Sequence, residues 1–152
     1  IKMGKEIFFG KAFCTNCHMM NGRGGRLGPD LTRIGAMRSL EDLIKSIRKP
    51  NSSQLWAGWA ILGEPWTGYQ PVTVVMKDGR RITGAIKNED TFTIQLMDQK
   101  EEFHSFEKIQ LREIILPTNS LMPPYPSSFL SNKELEDLLT FIIHPNDCEL
   151  EN

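Results

Sequence analysis

Two cysteines and a histidine lie close together near the start of the chain, in the run Cys14-Thr15-Asn16-Cys17-His18. Thiols at this spacing can each form a thioether with one vinyl group of a haem, and the adjacent imidazole can then bind the iron from one face. Covalent attachment of this kind holds a cofactor even in a chain of 152 residues. The C-x-x-C-H spacing therefore predicts a site for one covalent haem c, with His18 as an axial ligand of its iron.

Two other chemistries use the C-x-x-C spacing. A redox-active disulfide of this type belongs beside a βαβ pattern, whereas here a short helical pattern precedes the motif and a glycine-rich loop follows it. A zinc site needs four ligands, and the sequence has no second C-x-x-C or H-x-x-x-H pair to complete them. Haem attachment is therefore the favoured interpretation of Cys14, Cys17 and His18.

The loop that follows the motif, residues 21–31, is rich in glycine and ends in Gly28-Pro29-Asp30-Leu31. Glycine allows the backbone to run close to a flat ligand. A metal-bound histidine normally donates its other ring N–H to an acceptor, and the carbonyl of Pro29 is the best candidate. Gly28 and Pro29 are thus predicted to belong to the cofactor site, although the same pair would also suit a simple turn.

A second axial ligand must come from elsewhere in the chain. In electron transfer, an iron with histidine on one face usually takes methionine on the other. Of the seven methionines, Met122 stands in the run Ser-Leu-Met-Pro-Pro-Tyr-Pro, where the prolines fix φ and make the loop stiff. We expect Met122 to be the distal ligand; His104, His144 and an open coordination position are the alternatives.

Three amphipathic patterns predict helices around these motifs. The first covers about residues 3–13 and leads into the attachment site. The second begins at Ser39 and ends before Pro50, and the third begins at Ser131 and ends before Pro145. Their apolar faces are expected to form the core together with the haem.

This order of motifs resembles that of class I cytochrome c, over about residues 1–50 and 118–145. The resemblance implies a mainly α fold, with one-electron transfer by the haem iron and no enzymatic activity of its own. It also implies that the first and last helices cross where a small residue meets an aromatic one, here Gly4 against Phe141.

Between these two parts the apolar pattern changes to a period of two. Five short runs joined by turns predict a small antiparallel β-barrel or sandwich. We therefore predict a discontinuous haem domain of residues 1–55 and 117–152 and an inserted β domain of residues 56–116. The β domain would shield the haem or dock a partner.

The run 72–84 resembles the SH3-like or Sm-like module inserted in haem-binding domains of planctomycete and verrucomicrobial type. Such domains often end longer chains that carry quinoprotein-like dehydrogenases. The resemblance implies a dehydrogenase as electron donor, on the same chain or docked to it, and a second protein as downstream acceptor.

Composition narrows the remaining possibilities. A formal net charge of −1 excludes the strongly basic surface of a nucleic-acid-binding protein. No apolar run approaches the roughly 20 residues that span a bilayer. Because the chain begins within a helical pattern, we expect a processed form or an excised domain, located in the periplasm or another extracytoplasmic compartment of a bacterium. Cys148, near the acidic end, is expected to be a free or intermolecularly paired thiol.

Two functions of other classes stay open. A haem enzyme or gas sensor would need an open distal position and a distal acid or base, for which His104 is the candidate. Alternatively, the haem would have a structural role only, and the β domain would carry the function as a binding module.

Overall fold

The computed structural model describes residues 1–50 and 69–146. The chain divides into two compact units, one formed by Ile1–Lys49 with Pro124–Asn152 and the other by Pro50–Pro123. The helices of the first unit are α1 (Lys2–Glu6), α2 (Ile34–Met37), α3 (Leu40–Arg48) and α4 (Asn132–Ile143). None of the helices in the described ranges is long and apolar enough to cross a bilayer. Cys148 lies outside the described residues.

The first helix ends in an unusual way just before the C-x-x-C-H motif. After α1 the chain continues as a π-helical turn, Ile7–Lys11, in which the N–H of Ala12 donates to the carbonyl of Ile7 at 2.9 Å. Phe13 then adopts a left-handed conformation with φ 48° and ψ 35°, which is uncommon for a residue other than glycine. This reversal ends the helix and starts the short 3₁₀ turn Cys14–Asn16 that carries the motif.

The two longer helices begin at the predicted caps. The hydroxyl of Ser39 accepts from the N–H of Asp42 at the start of α3. At the start of α4, Ser131 and Glu134 form a complete capping box. Each cap satisfies backbone donors that a helix otherwise leaves without partners, so both predicted starts are confirmed.

The helical unit is held together where α1 crosses α4. Gly4 is buried there, and a Cβ added to it would overlap the carbonyl oxygen of Asp137 and lie 2.7 Å from the Cβ of Phe141. The ring of Phe8 meets that of Phe141 edge to face, with centroids 5.5 Å apart. The expected crossing of Gly4 against Phe141 is therefore confirmed. Lys11, the last residue of the π-helical turn after α1, adds an ion pair with Glu134 in the first turn of α4 at 2.6 Å.

Seven strands are described. A short pair, β1 (Met19–Met20) and β2 (Arg23–Gly24), follows the motif. The second unit contains one antiparallel sheet with the strand order β6-β5-β4-β3-β7, made of β3 (Pro71–Met76), β4 (Arg81–Glu89), β5 (Thr93–Asp98), β6 (Phe103–Glu107) and β7 (Leu111–Ile115). One face of this sheet carries its own core of buried side chains: Val72, Val74, Ile86, Ile94, Leu96 and Leu111.

The predicted fold class is wrong in two respects. Helix and strand occur in comparable amounts among the described residues, so the protein is not mainly α. The β region, moreover, is neither a closed barrel nor a sandwich but a single open sheet, whose edges are β6 and β7. The 3₁₀ turn Lys108–Gln110 joins these two edge strands, yet β7 pairs with β3 and not with β6. Alternation and turn residues indicate strands and hairpins, whereas closure depends on a pairing between distant strands that no local pattern encodes.

Candidate haem-binding site

The attachment motif lies on a tight turn that is closed by its own backbone. The carbonyl of Cys14 accepts from the N–H of His18 at 2.8 Å and from the N–H of Cys17 at 3.2 Å. The turn therefore holds the backbones of Cys14, Cys17 and His18 close together, and both cysteines are half-buried thiols. A compact turn at this spacing suits the attachment of one cofactor.

The electrostatics of Cys14 argue against a redox-active disulfide. The pKa of its thiol is raised to about 12, chiefly by burial and to a smaller extent by the neighbouring Cys17, while a backbone hydrogen bond acts in the opposite direction. Reactive cysteines in C-x-x-C redox motifs have a lowered pKa, because the thiolate is the nucleophile. The Cys14 thiol is instead protonated and weakly nucleophilic at neutral pH.

The ring of His18 is oriented by Pro29, as predicted from the sequence. Its Nδ1 lies 2.8 Å from the carbonyl oxygen of Pro29, and because a carbonyl can only accept, Nδ1 carries the proton. The tautomer with a proton on Nδ1 leaves a lone pair on Nε2, which is the atom available to a metal. Burial lowers the pKa of His18, with the Pro29 hydrogen bond opposing it, so the ring is neutral at pH 7.

Two glycines allow the loop to pass close to His18, Gly28 at its ring and Gly24 at its backbone. A Cβ on Gly28 would lie 2.6 Å from Cε1 and 2.8 Å from Nδ1 of His18, while the N–H of Gly28 donates to the carbonyl of Cys17 at 2.7 Å. Gly24 has φ 118° and a Cβ there would overlap the carbonyl oxygen of His18. Sequence reasoning singled out Gly28 but missed Gly24, whose only signal was its place in a cluster of glycines.

These residues fit a covalently held haem. Such a group needs two neighbouring thiols and a neutral imidazole with Nε2 unprotonated, and the chain supplies both. It also needs a loop whose backbone can lie close to the histidine ring, which Gly28 allows. Cys14, Cys17 and His18 would hold the group, and Pro29 would orient the histidine.

Tyr125 lies close to the motif and was missed by sequence reasoning. Its hydroxyl donates to the carbonyl of Ala12 at 2.7 Å, two residues before Cys14. Burial raises the pKa of Tyr125 to about 12, with further contributions from Cys14 and Cys17. The signal that could have pointed to it is an aromatic residue set within the Pro-Pro-Tyr-Pro run.

Met122 is half-buried, and its N–H donates to the hydroxyl of Ser120 at 3.1 Å. Its assignment as the distal ligand stays a prediction. Of the alternatives, His104 lies in the second unit, Pro50–Pro123, called the sheet unit below. Its Nε2 donates to a carboxylate oxygen of Asp98 at 2.8 Å. His144 caps the C-terminus of α4, where its N–H donates to the carbonyl of Thr140.

The cytochrome c family model matches residues 1–91, which is more than half of the chain, and the protein therefore belongs to the cytochrome c family. Membership implies covalently bound haem c with its iron, electron transfer as the activity and a redox partner to exchange electrons with. No curated protein matches the chain. The matched range includes Cys14, Cys17, His18, Gly28 and Pro29 and ends before Met122.

Proposed function

We propose that this protein carries single electrons on one haem iron that is bound axially by His18 and Met122, with thioether bonds from Cys14 and Cys17. The hydrogen bond from His18 to Pro29 carries the proposal, because it selects the tautomer in which Nε2 can bind iron. When bound, the haem supplies a reversible one-electron change of its iron. The chain holds the iron in a fixed environment that limits its rearrangement between the two oxidation states.

Met122 completes the proposed ligand pair. A thioether ligand raises the reduction potential of a haem iron relative to a second imidazole, and it stays bound without a proton being taken up or released. Two prolines follow Met122 directly, and their fixed φ angles restrict the paths that this side chain can take. A rigid ligand loop of this kind suits an electron carrier better than an open site for substrates.

The covalent attachment can be tested by mass. Protein unfolded in acid should keep its colour and exceed the mass of the bare polypeptide by that of one haem. In Cys14→Ala or Cys17→Ala the haem should be held by one bond, and in the double variant acid extraction should remove it. A colourless polypeptide of unmodified mass, from cells that attach haem to other cytochromes, would contradict the proposal.

The axial ligand can be tested by spectroscopy. The ferric form should show the far-red band of a sulfur-to-iron charge transfer, and this band should vanish in Met122→Ala. Met37→Ala is a matched control, because Met37 lies in the same unit as the motif with 58% of its surface exposed. The ligand assignment is wrong if the band survives in Met122→Ala.

We further propose that residues 1–55 and 117–152 form one haem domain and that residues 56–116 are inserted in it. The separate core of the sheet supports this division, since its buried side chains all come from residues 72–111. A chain in which a short Gly-Ser linker replaces residues 56–116 should still attach haem and unfold cooperatively. A linker variant that attaches no haem would overturn the division.

The sheet unit is proposed to serve the haem domain by shielding the haem or by docking a partner. Phe92 and Ile109 support the second role, because they are 78% and 80% exposed at neighbouring turns, with the N–H of Lys108 donating to the carbonyl of Phe92. Phe92→Ser with Ile109→Ser should then slow electron transfer to the partner and leave the visible spectrum unchanged. If the double variant transfers electrons to the partner at an unchanged rate, and the linker variant is reoxidised faster than the unmodified protein, the sheet shields the haem and does not dock the partner.

The proposed donor is a dehydrogenase, and the proposed location is a bacterial extracytoplasmic compartment. Cytochrome c domains of bacteria are typically extracytoplasmic. Haem attachment should therefore require export of the chain to the periplasm, and a chain retained in the cytoplasm that still acquires covalent haem would count against this location. A quinoprotein-type dehydrogenase supplied with its substrate should reduce the ferric protein, which is seen directly in the visible spectrum.

A further inference from the structure

Arg48, the last residue of α3, binds the segment of chain that follows Met122. Its guanidinium donates to four oxygen atoms of that segment: the carbonyls of Tyr125 (2.8 Å), Leu130 (2.5 Å) and Ser131 (3.5 Å) and Oδ1 of Asn132 (3.1 Å). The planar fork of arginine suits this task, because its donors point in fixed directions to several acceptors at once. One side chain thus forms hydrogen bonds with both ends of the turn between the proline-rich run and α4.

Two further hydrogen bonds fix the position of Tyr125. Its N–H donates to the carbonyl of Ile47 at 3.0 Å, next to Arg48 at the end of α3. Its hydroxyl donates to the carbonyl of Ala12 at 2.7 Å, in the segment that leads into the attachment motif. The position of Tyr125 is therefore fixed relative to both α3 and the residues just ahead of Cys14.

Only two residues, Pro123 and Pro124, separate Tyr125 from Met122. Proline fixes φ and favours an extended backbone that rises about 3.1 Å per residue. A stiff connection of two prolines transmits the position of one end to the other, whereas a flexible connection would absorb a displacement. Whatever holds the backbone of Tyr125 therefore restricts Met122 as well.

We propose that Arg48 is a positioning residue for the distal ligand: through the carbonyl of Tyr125 it keeps the Met122 loop closed, so that external ligands are excluded from the iron. This inference rests on the proposed binding of iron by His18 and Met122. An external ligand reaches the iron only in the fraction of molecules whose loop is open, and its apparent dissociation constant is inversely proportional to that fraction. Loss of Arg48 should raise the open fraction.

A purely structural role for Arg48 makes a different prediction. A cation at a helix C-terminus stabilises the helix through its dipole, and its loss would lower the melting temperature alone. The contacts of Arg48 go to a segment 77 to 84 residues away in sequence, beyond the last turn of its own helix. The binding of an external ligand, measured well below the melting temperature, separates the two roles.

The test is a titration of the ferric holoprotein with imidazole, followed by the visible spectrum. Arg48→Met removes hydrogen bonds from a charged donor, so the dissociation constant for imidazole should fall about tenfold or more. Arg48→Lys should have an intermediate effect, because an ammonium group cannot span the same carbonyls. Tyr125→Phe removes a single hydrogen bond and should lower the constant about threefold.

Lys45→Met provides the matched control. Lys45 lies one turn earlier on α3 and pairs with Glu41 at 2.8 Å on an exposed surface, so its loss should leave imidazole binding unchanged. If Arg48→Met melts at a lower temperature but binds imidazole as the unmodified protein does, Arg48 has a structural role only and the inference is wrong. If Arg48→Met does not fold, Arg48→Lys and Tyr125→Phe decide by the same comparison.

The experiments also distinguish a failure of the proposed iron ligation by Met122 from a failure of the inference about Arg48. A far-red band that survives in Met122→Ala would show that Met122 is not the ligand, whatever the Arg48 variants do. A band that is lost in Met122→Ala, together with unchanged imidazole binding in all Arg48 and Tyr125 variants, would overturn the role of Arg48 and leave the ligand pair in place.

Discussion

Replacing Gly4 with alanine tests the packing of α1 on α4. Intrinsic helix propensity alone would favour the substitution by about 1 kcal/mol, since alanine is the better helix former. In the structure, however, the added Cβ would overlap the carbonyl oxygen of Asp137 and lie 2.7 Å from both the carbonyl carbon of Asp137 and the Cβ of Phe141. All three of these atoms belong to the backbone or to the first carbon of a side chain, so no rotamer change can relieve the contacts.

The two helices must therefore move apart, which disturbs the contact between Phe8 and Phe141. Overpacking of this kind costs about 1–3 kcal/mol, and the rigidity of the opposing atoms places Gly4→Ala at about 3 kcal/mol. After the gain in propensity, the expected net loss in the free energy of unfolding is about 2 kcal/mol. For a chain of this size, such a loss lowers the melting temperature by about 4–8 °C.

The assay is thermal unfolding of the holoprotein, followed by circular dichroism and by haem absorption. Gly10→Ala serves as a matched control, because Gly10 lies in the adjoining π-helical turn and a Cβ there would meet no atom within 4 Å. The control should melt at or slightly above the temperature of the unmodified protein. If Gly4→Ala is as stable as Gly10→Ala, the close approach of the two helices is not what holds this unit together.

Two further predictions concern the haem site and the response to acid. In Gly28→Ala the added Cβ would lie 2.6 Å from the ring of His18 and displace it from Pro29, so we expect less attached haem and an altered ferric spectrum, and an unchanged spectrum would contradict this account of Gly28. The pKa of Glu134 is lowered from 4.5 to about 2, chiefly by Lys11 and then by Ser131, so the stability it contributes is present above about pH 4.5 and is lost as the pH falls towards 2. Glu134→Gln should therefore be less stable than the unmodified protein at pH 5 and nearly equal to it at pH 2, as measured by denaturant unfolding; an equal difference at both pH values would refute the role of this carboxylate.

Local chemistry could be predicted from the sequence because it depends on residues a few positions apart. The C-x-x-C-H motif, the caps at Ser39 and Ser131, and the hydrogen bond from His18 to Pro29 all join residues separated by eleven positions or fewer. Over such distances the backbone has few conformations, and the residue types select among them. The crossing of Gly4 against Phe141 is a longer contact, and it was expected only from the family resemblance.

Tertiary packing decided the features that no short pattern encodes. Alternation and turns indicated the hairpins correctly, but the pairing of β7 with β3 depends on how the whole sheet curves, so the expected barrel or sandwich is an open sheet. Arg48 and Tyr125 carried no recognisable signal as single residues, since their partners lie 77 and 113 positions away. Contacts at this separation form only when the elements between them have packed, and the structure alone shows which side chains then meet.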